Sequence, residues 1–315
     1  MGQNCFKNVR LYRGFEMNIC FVILHYKTDA DTIECIESIY TLKGEYSISI
    51  IVVDNCSENG SIERIEKKYV DEERIVILKN DRNLGFAEGN NVGYSYARNV
   101  LQADYIIALN NDIIIESENL IDIFIANFKK YNYGVAGPDI ESLADHKHQN
   151  PKEGTEPSEK EILHQIHRYQ LLYFLSKINL YDLVRKIAGS KKEKQSKDVL
   201  RDIKENVMLH GSFVVFSPLF IDKEEFAFIP GTFLYMEEEL LYRYCQVHNY
   251  KTLFIPEAKV FHKEDSSTNS IFIEEKTKRE FVFANMIRSL KVYQSIVISE
   301  RTEFRCEPIK SGRKD

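Results

Sequence analysis

Three polar runs in this 315-residue chain combine residue types that can do chemistry: Asp54-Asn55, the stretch from Asn83 and Gly85 to Asn90 and Asn91, and Asn110-Asn111-Asp112. A carboxylate such as Asp54 accepts from the N3–H of a pyrimidine base or from a ribose hydroxyl, and the neighbouring amides can read both kinds of polar edge. Asp112 offers a hard oxygen to a divalent cation bridging two phosphates, with neutral amide oxygens from Asn110 and Asn111 beside it. Gly85, Gly89 and Gly93 permit close backbone approach by a ligand at a helix start. Each run also has a plainer reading. Asx turns account for Asp54-Asn55 and for Asn110-Asn111-Asp112, and helix packing accounts for the glycines.

These runs gain weight from the elements that must hold them. Nearly continuous apolar segments at residues 19–24, 48–53, 74–78, 105–109 and 134–137 read as strands buried on both faces. Helical patterns fill the intervals at 31–42, 61–69, 87–99 and 117–129, with Asp31 and either Glu116 or Ser117 placed to cap two of them. Alternation of this kind predicts βαβ units on a largely parallel sheet, an α/β fold. Ligands of such sheets bind beyond the carboxyl ends of the strands, which is where all three polar runs fall.

Composition narrows the class. Apolar residues make up 43% and charged residues 29%, enough for a sizeable core under a solvated surface. A net charge of −6 argues against a protein that grips nucleic acid through a broad basic footprint. Cys5, Cys20, Cys35, Cys56, Cys245 and Cys306 show neither zinc-like spacing nor a disulfide framework, so a reducing cytoplasm is expected. No apolar run approaches the ~18 residues of a membrane span, and the first 30 positions lack secretory-signal order.

Beyond residue 140 the pattern changes. Residues 141–161, with Pro151, Gly154 and Pro157, read as a linker or surface loop. Helical spacing returns with Ile162, Ile166, Tyr169 and Leu172 and continues to a basic run at 191–197. This insertion suits an anionic membrane surface carrying a lipid-linked acceptor, or simply a packed helical pair with a solvated basic tip. Strands are expected again at 212–216, 251–255 and 259–261, and a closing helix at 274–297. The expected organisation is therefore an N-terminal extension (1–16), a ligand-binding half (17–140), the insertion (141–206), a second half (207–270) and a C-terminal helix and tail (271–315).

The order and spacing of Val53-Asp54-Asn55-x-Ser57-x-x-Gly60-Ser61, Asn83-Leu84-Gly85-Phe86-Ala87-x-Gly89-Asn90-Asn91, Leu109-Asn110-Asn111-Asp112, Gly211-Ser212-Phe213 and Phe233-Leu234-Tyr235-Met236-Glu237-Glu238 resemble the inverting family 2 glycosyltransferases over residues 18–262. The resemblance implies a GT-A fold: a Rossmann-like mixed central sheet flanked by helices, here with a helical insertion. It implies transfer of one sugar from a UDP- or dTDP-sugar to an acceptor hydroxyl with inversion, in cell-surface polysaccharide or glycan assembly. The acceptor would be a glycan or lipid-linked oligosaccharide, and the place the cytoplasm, at the inner face of the membrane. Asp54, Asn83, Gly85, Asn90, Asn110 and Asn111 would line the nucleotide-sugar pocket, joined by His25 and Tyr26 directly after the first strand. Asp112 would be the metal-binding end of the DXD motif, holding Mn or Mg, with His262 as a further metal or diphosphate ligand. Gly211, Ser212 and Phe213 would shape the sugar and acceptor pocket. Glu238, in the second acidic position of the family's Glu-Asp pair, would be the base, with Glu237 and Glu239 as alternatives. Taken as residues alone, the three glutamates equally well begin an exposed helix, favoured by its N-terminal dipole. A non-enzyme reading, an inactive nucleotide-sugar-binding or partner subunit, keeps the pocket while losing catalysis. The chain lacks tryptophan and so the Gln-x-x-Arg-Trp motif of related processive synthases.

Overall fold

Unbroken apolar runs at 19–24 within Met17–His25 (β1) and at 50–53 within Tyr46–Asp54 (β2) have no polar face, so both strands are stable only with protein on either side. The computed structural model, which describes residues 17–152, 156–188, 200–264 and 275–305, places them in the middle of a mixed sheet. β3 (Ile75–Lys79), β2, β1 and β4 (Tyr105–Asn110) run parallel in that order. α1 (Asp29–Ile39), α2 (Ser61–Lys68) and α4 (Leu120–Tyr131) cover one face through Ile36, Ile39, Ile65 and Phe124. α3 (Gly85–Asn99) covers the other through Ala87, Tyr94 and Ala97.

Past β4 the sheet is mixed. β8 (Phe213–Phe216) is antiparallel to β4 and to β6 (Val135–Ser142); β9 (Thr252–His262) is parallel to β6; β5 (Ile113–Ile115) is antiparallel to β9. β7 (Lys204–Glu205) pairs with β9 at its start. Four lateral steps separate β4 from β5 in this order, about 19 Å in a flat sheet. The three peptide steps from Asn110 to Ile113 reach at most about 11 Å. The β4-β8-β6-β9-β5 part of the sheet must therefore curl back on itself, and Asn110-Asn111-Asp112 spans the gap where it nearly closes.

Several boundaries differ from the sequence expectation for physical reasons. The expected strands at 251–255 and 259–261 are one strand, β9, whose register against β6 jumps from Ile255 opposite Pro138 to Lys259 opposite Asp139. Neither α1 nor α4 uses the expected caps: Thr28 and Asn119 stand at their N-cap positions without side-chain cap bonds. The cap that does form is at α5 (Glu159–Lys177), where Ser158 and Glu161 make a reciprocal capping box. The described part of the stretch expected as a linker or surface loop is tied back to the sheet. Glu141 bridges to His148, and Lys152 N–H donates to Met208 O at 2.9 Å.

α6 (Tyr181–Ala188) follows α5, α7 (Pro218–Ile221) follows β8, and α8 (Glu237–Val247) leads to β9. The last helix, α9 (Glu275–Arg305), packs along α5. Ile162 and Ile166 of α5, Leu290, Tyr293 and Val297 of α9, and Met236 and Leu240 at the start of α8 form a third buried cluster. Insertion and C-terminal helix thus form one support beneath the three glutamates. The expected basic run at 191–197 lies outside the described residues.

Candidate active site

The carboxyl ends of β2, β1 and β4 lie side by side, with His25 in register with Asp54 and Leu24 with Asn110. The rim expected from sequence exists, but its residues divide into those that hold the fold and those that face outward. His25 belongs to the first group. It is fully buried, with Nδ1 2.7 Å from Thr32 Oγ1 and Nε2 2.9 Å from Ser61 Oγ. Burial pushes its pKa down to about 4, so the ring is neutral and both nitrogens are spent tying α1 and α2 to β1. It has no group left for a nucleotide. Tyr26 is half-buried, with the Lys27 ammonium 5.0 Å from its ring centre.

Asn111 is likewise structural: its amide donates to Thr28 O, Thr28 Oγ1 and Thr32 Oγ1, fixing the start of α1. Asp54 is 5% exposed and accepts from Ser57 N–H and, at 2.5 Å, from Ser57 Oγ, an Asx-type turn at the end of β2. Asn55 latches this turn to the α3 entry, accepting from Leu84 N–H and donating to Gly85 O and Asn83 Oδ1. Asn90 is buried and donates to Phe86 O within α3.

The glycines of this segment admit protein, not ligand. A Cβ on Gly85, whose φ is +81°, would lie 2.2 Å from Phe233 O; on Gly89, 2.6 Å from Leu24 Cδ1; on Gly93, 2.3 Å from Val22 Cγ1. They let α3 lie against the sheet and against the segment before α8, where Phe86 N–H donates to Phe233 O at 2.7 Å. Phe213 is also a core residue, fully buried and stacked on Phe124 with ring centres 6.2 Å apart, so it shapes no pocket directly.

Asp112 behaves differently. Asp112 is 6% exposed, and His262 Nε2 lies 3.2 Å from its Oδ1, a buried oxygen with no hydrogen-bond partner. The tautomer follows from the network. Gln149 donates its amide to Glu264, so the Gln149 Oε1 facing His262 Nδ1 at 2.8 Å is an acceptor, and the ring proton sits on Nδ1. His262 then presents its Nε2 edge to the Asp112 carboxylate oxygen. An imidazole nitrogen facing a buried carboxylate oxygen that has no hydrogen-bond partner is a donor pair that fits a divalent metal. Among the described residues no group of three His, Cys, Asp or Glu side chains gathers there, so these two would be the protein's share of the ligands.

Glu237, Glu239 and Glu238 open α8 after Met236, whose φ is 70°. They are not an exposed acidic face. Glu237 is 5% exposed, its Oε1 has no hydrogen-bond partner, and burial pushes its pKa up to about 7. Glu238 accepts Gly211 N–H on Oε1 at 3.0 Å and Lys152 Nζ on Oε2 at 2.8 Å. Burial alone would raise its carboxyl; the Lys152 ammonium, His210 and the Gly211 hydrogen bond outweigh that and hold it below the ordinary range. Glu239 shares the same ammonium at 3.3 Å.

The two corners meet at His210. Its Nδ1 accepts from Ser212 N–H, its ring centre is 5.9 Å from that of His262, and its backbone N–H donates to Asn150 Oδ1. Ser212, 2% exposed, serves this histidine, while Ser212 O accepts Asn110 N–H. Lys152, Gln149 and His210 were not legible from sequence. The first two sit in a polar loop without periodicity, and only the adjacency of His210 to Gly211 could have singled it out.

A sequence model of glycosyl transferase family 2 matches residues 20–194, a span that holds Asp54, Asn83 and Asp112, with Gly211, Glu238 and His262 beyond it. Among curated proteins, glycosyltransferase GlyG of Streptococcus pneumoniae serotype 4 is 31% identical over 128 residues, covering 36% of this chain and 40% of that protein. The low-salt glycan biosynthesis hexosyltransferase Agl10 of Haloferax volcanii is 24% identical over 123 residues, covering 39% and 36% respectively. The alignments thus span about two fifths of these relatives. Of solved structures, S. aureus TarS 1–349 is similar in fold, with a TM-score of 0.50 at 10% identity over 94% of this chain and 76% of that one. The architecture is accordingly GT-A. Because the family's model covers more than half of the 315 residues, this chain belongs to glycosyl transferase family 2.

Proposed function

We propose that the protein transfers a single sugar from a nucleoside-diphosphate sugar, a UDP- or dTDP-sugar by preference, to an acceptor hydroxyl with inversion. The observation that carries this reading is the pairing of two unlike corners on one rim. One is the buried Asp112–His262 pair with its donorless carboxylate oxygen; the other is the ionised Glu238, with His210 between them. Asp112 and His262 would hold a divalent cation, which neutralises charge gathering on the leaving diphosphate. Glu238 accepts the acceptor's hydroxyl proton as the new bond to the anomeric carbon forms. The bond from that carbon to the phosphate oxygen breaks in the same displacement, and the nucleoside diphosphate leaves with the electron pair. Gly211 N–H and Lys152 keep Glu238 charged and aimed for this step. Asp54, Asn83 and Asn110 remain the proposed contacts of the nucleotide.

The acceptor we favour is a glycan or lipid-linked oligosaccharide at the inner face of a membrane. No helix among the described residues is long and apolar enough to cross one. The outer side of α5 and α6, however, exposes Leu171, Phe174 and Leu183 beside Arg168, Arg185 and Lys186, a pairing of apolar and cationic side chains that suits an anionic bilayer surface. Triple substitution Leu171→Glu, Phe174→Glu, Leu183→Glu spares the inner face that packs on α9. Equal sedimentation of this variant and the native protein with phosphatidylserine vesicles would refute the membrane reading.

The reading as a whole is tested by a panel of UDP-, dTDP- and GDP-sugars, scored by thermal shift with and without Mn and by release of nucleoside diphosphate. Metal-dependent turnover lost in Glu238→Gln supports the enzyme. Binding without turnover on any acceptor favours an inactive nucleotide-sugar-binding subunit, and no shift from any donor overturns both.

A further inference from the structure

We propose that Lys152 is a positioning residue for Glu238, the second arm of a clamp whose first arm is Gly211 N–H; this rests on the reading of Glu238 as the base. A glutamate has one more rotatable bond than an aspartate, and its terminal torsion is broad. A single hydrogen bond to Oε1 would leave the carboxylate free to pivot. Lys152 Nζ, 2.8 Å from Oε2, removes that freedom.

The two arms are built as one unit. Lys152 N–H donates to Met208 O at 2.9 Å, and His210 N–H donates to Asn150 Oδ1 at 2.9 Å. Asn150 is itself fixed to the sheet through Pro138 O at 2.8 Å. The 150–152 and 208–211 segments therefore move together, and with them both atoms that touch Glu238. Neither ammonium nor carboxylate is freely solvated, their side chains being 26% and 18% exposed. The titratable groups around Glu238 are Lys152 from the loop after β6, His210 from the segment before β8, and Glu237 and Glu239 from its own helix. Lys152 is the one of these that contacts the carboxylate with opposite charge. Removing it leaves burial and two neighbouring carboxyls, which disfavour ionisation, opposed only by His210 and the Gly211 N–H bond.

The test titrates Glu238 directly. In protein labelled with 13C at glutamate Cδ, the Glu238 resonance is identified by its loss in Glu238→Gln and followed against pH in the native chain, Lys152→Met, Lys152→Gln and Lys152→Arg. The midpoint is expected to rise by about one unit or more in Lys152→Met and Lys152→Gln, and to return toward the native value in Lys152→Arg. In the donor panel, kcat should fall and its acid limb should move up with the midpoint, while the donor's KM stays unchanged. Midpoints within about 0.3 unit of native in both neutral variants would overturn the proposal, as would a KM effect without a change in the limb. Full activity in Glu238→Gln would instead sink the assignment of the base, leaving the titration to judge the clamp.

Discussion

Asp112 Oδ1 and His262 Nε2 stand 3.2 Å apart although 150 positions separate them in the chain, because Ile113 and His262 are register partners on β5 and β9. With Nδ1 of His262 turned to Gln149, its Nε2 faces the Asp112 oxygen that lacks a hydrogen-bond partner. Asp112→Asn replaces the charged oxygen with an amide and should abolish the Mn-dependent part of a donor's thermal shift while leaving the apo melting temperature near native. His262→Gln should weaken it in the same direction. Undiminished Mn dependence in Asp112→Asn would remove the cation from this corner.

Glu238→Gln keeps the shape and the Gly211 contact but cannot take a proton. Turnover should fall about 10²–10⁴-fold, with donor-induced stabilisation retained. Parallel loss of donor binding would mean that the carboxylate serves the donor, not the acceptor.

Glu237 makes a pH prediction of opposite sign to the usual carboxylate. Its folded pKa, about 7, is above the ordinary 4.5, so the folded state holds a proton that the unfolded chain has released. Its contribution to stability is complete below about pH 4.5 and is lost as pH rises to 7, by roughly 3 kcal/mol at most. Glu237→Gln should therefore melt several degrees higher than native at pH 8 and show little difference at pH 4.5, measured by calorimetry. An equal change at both pH values would dismiss the titration.

Gly93 and Gly211 should respond unequally to alanine. A Cβ at Gly93 meets Val22 Cγ1 at 2.3 Å and Val53 Cγ2 at 2.9 Å between helix and sheet, a cost of about 2–3 kcal/mol visible in urea melts. At Gly211 the nearest atoms, including Glu238 Oε1, stand at 3.4 Å, so stability should hold while turnover declines.

The parallel half was legible because each strand carries an unbroken apolar run and a helical pattern follows it, so β1 to β4 and the rim that follows them were set by local pattern. The rest depended on long-range geometry. Nothing in the sequence of Asn111 or His25 distinguishes an amide or imidazole that faces a ligand from one consumed by Thr28, Thr32 and Ser61. Gly85, Gly89 and Gly93 announced a close approach correctly but not what approaches. Lys152 was hidden because a lysine in a proline-bearing polar loop ordinarily faces solvent, and only the pairing of 152 with 208 turns it inward.

The curl of the β4-β8-β6-β9-β5 strands makes the short span between Asn110 and Ile113 a clasp, and a clasp is sensitive to length before it is sensitive to composition. Deleting one residue there would pull β4 from β8 or β5 from β9. Adding one would leave every strand paired but let the hoop slacken, carrying Asp112 away from His262 without unfolding anything. Changes in loop length at this point are thus a route by which the chain could lose its chemistry while keeping its architecture.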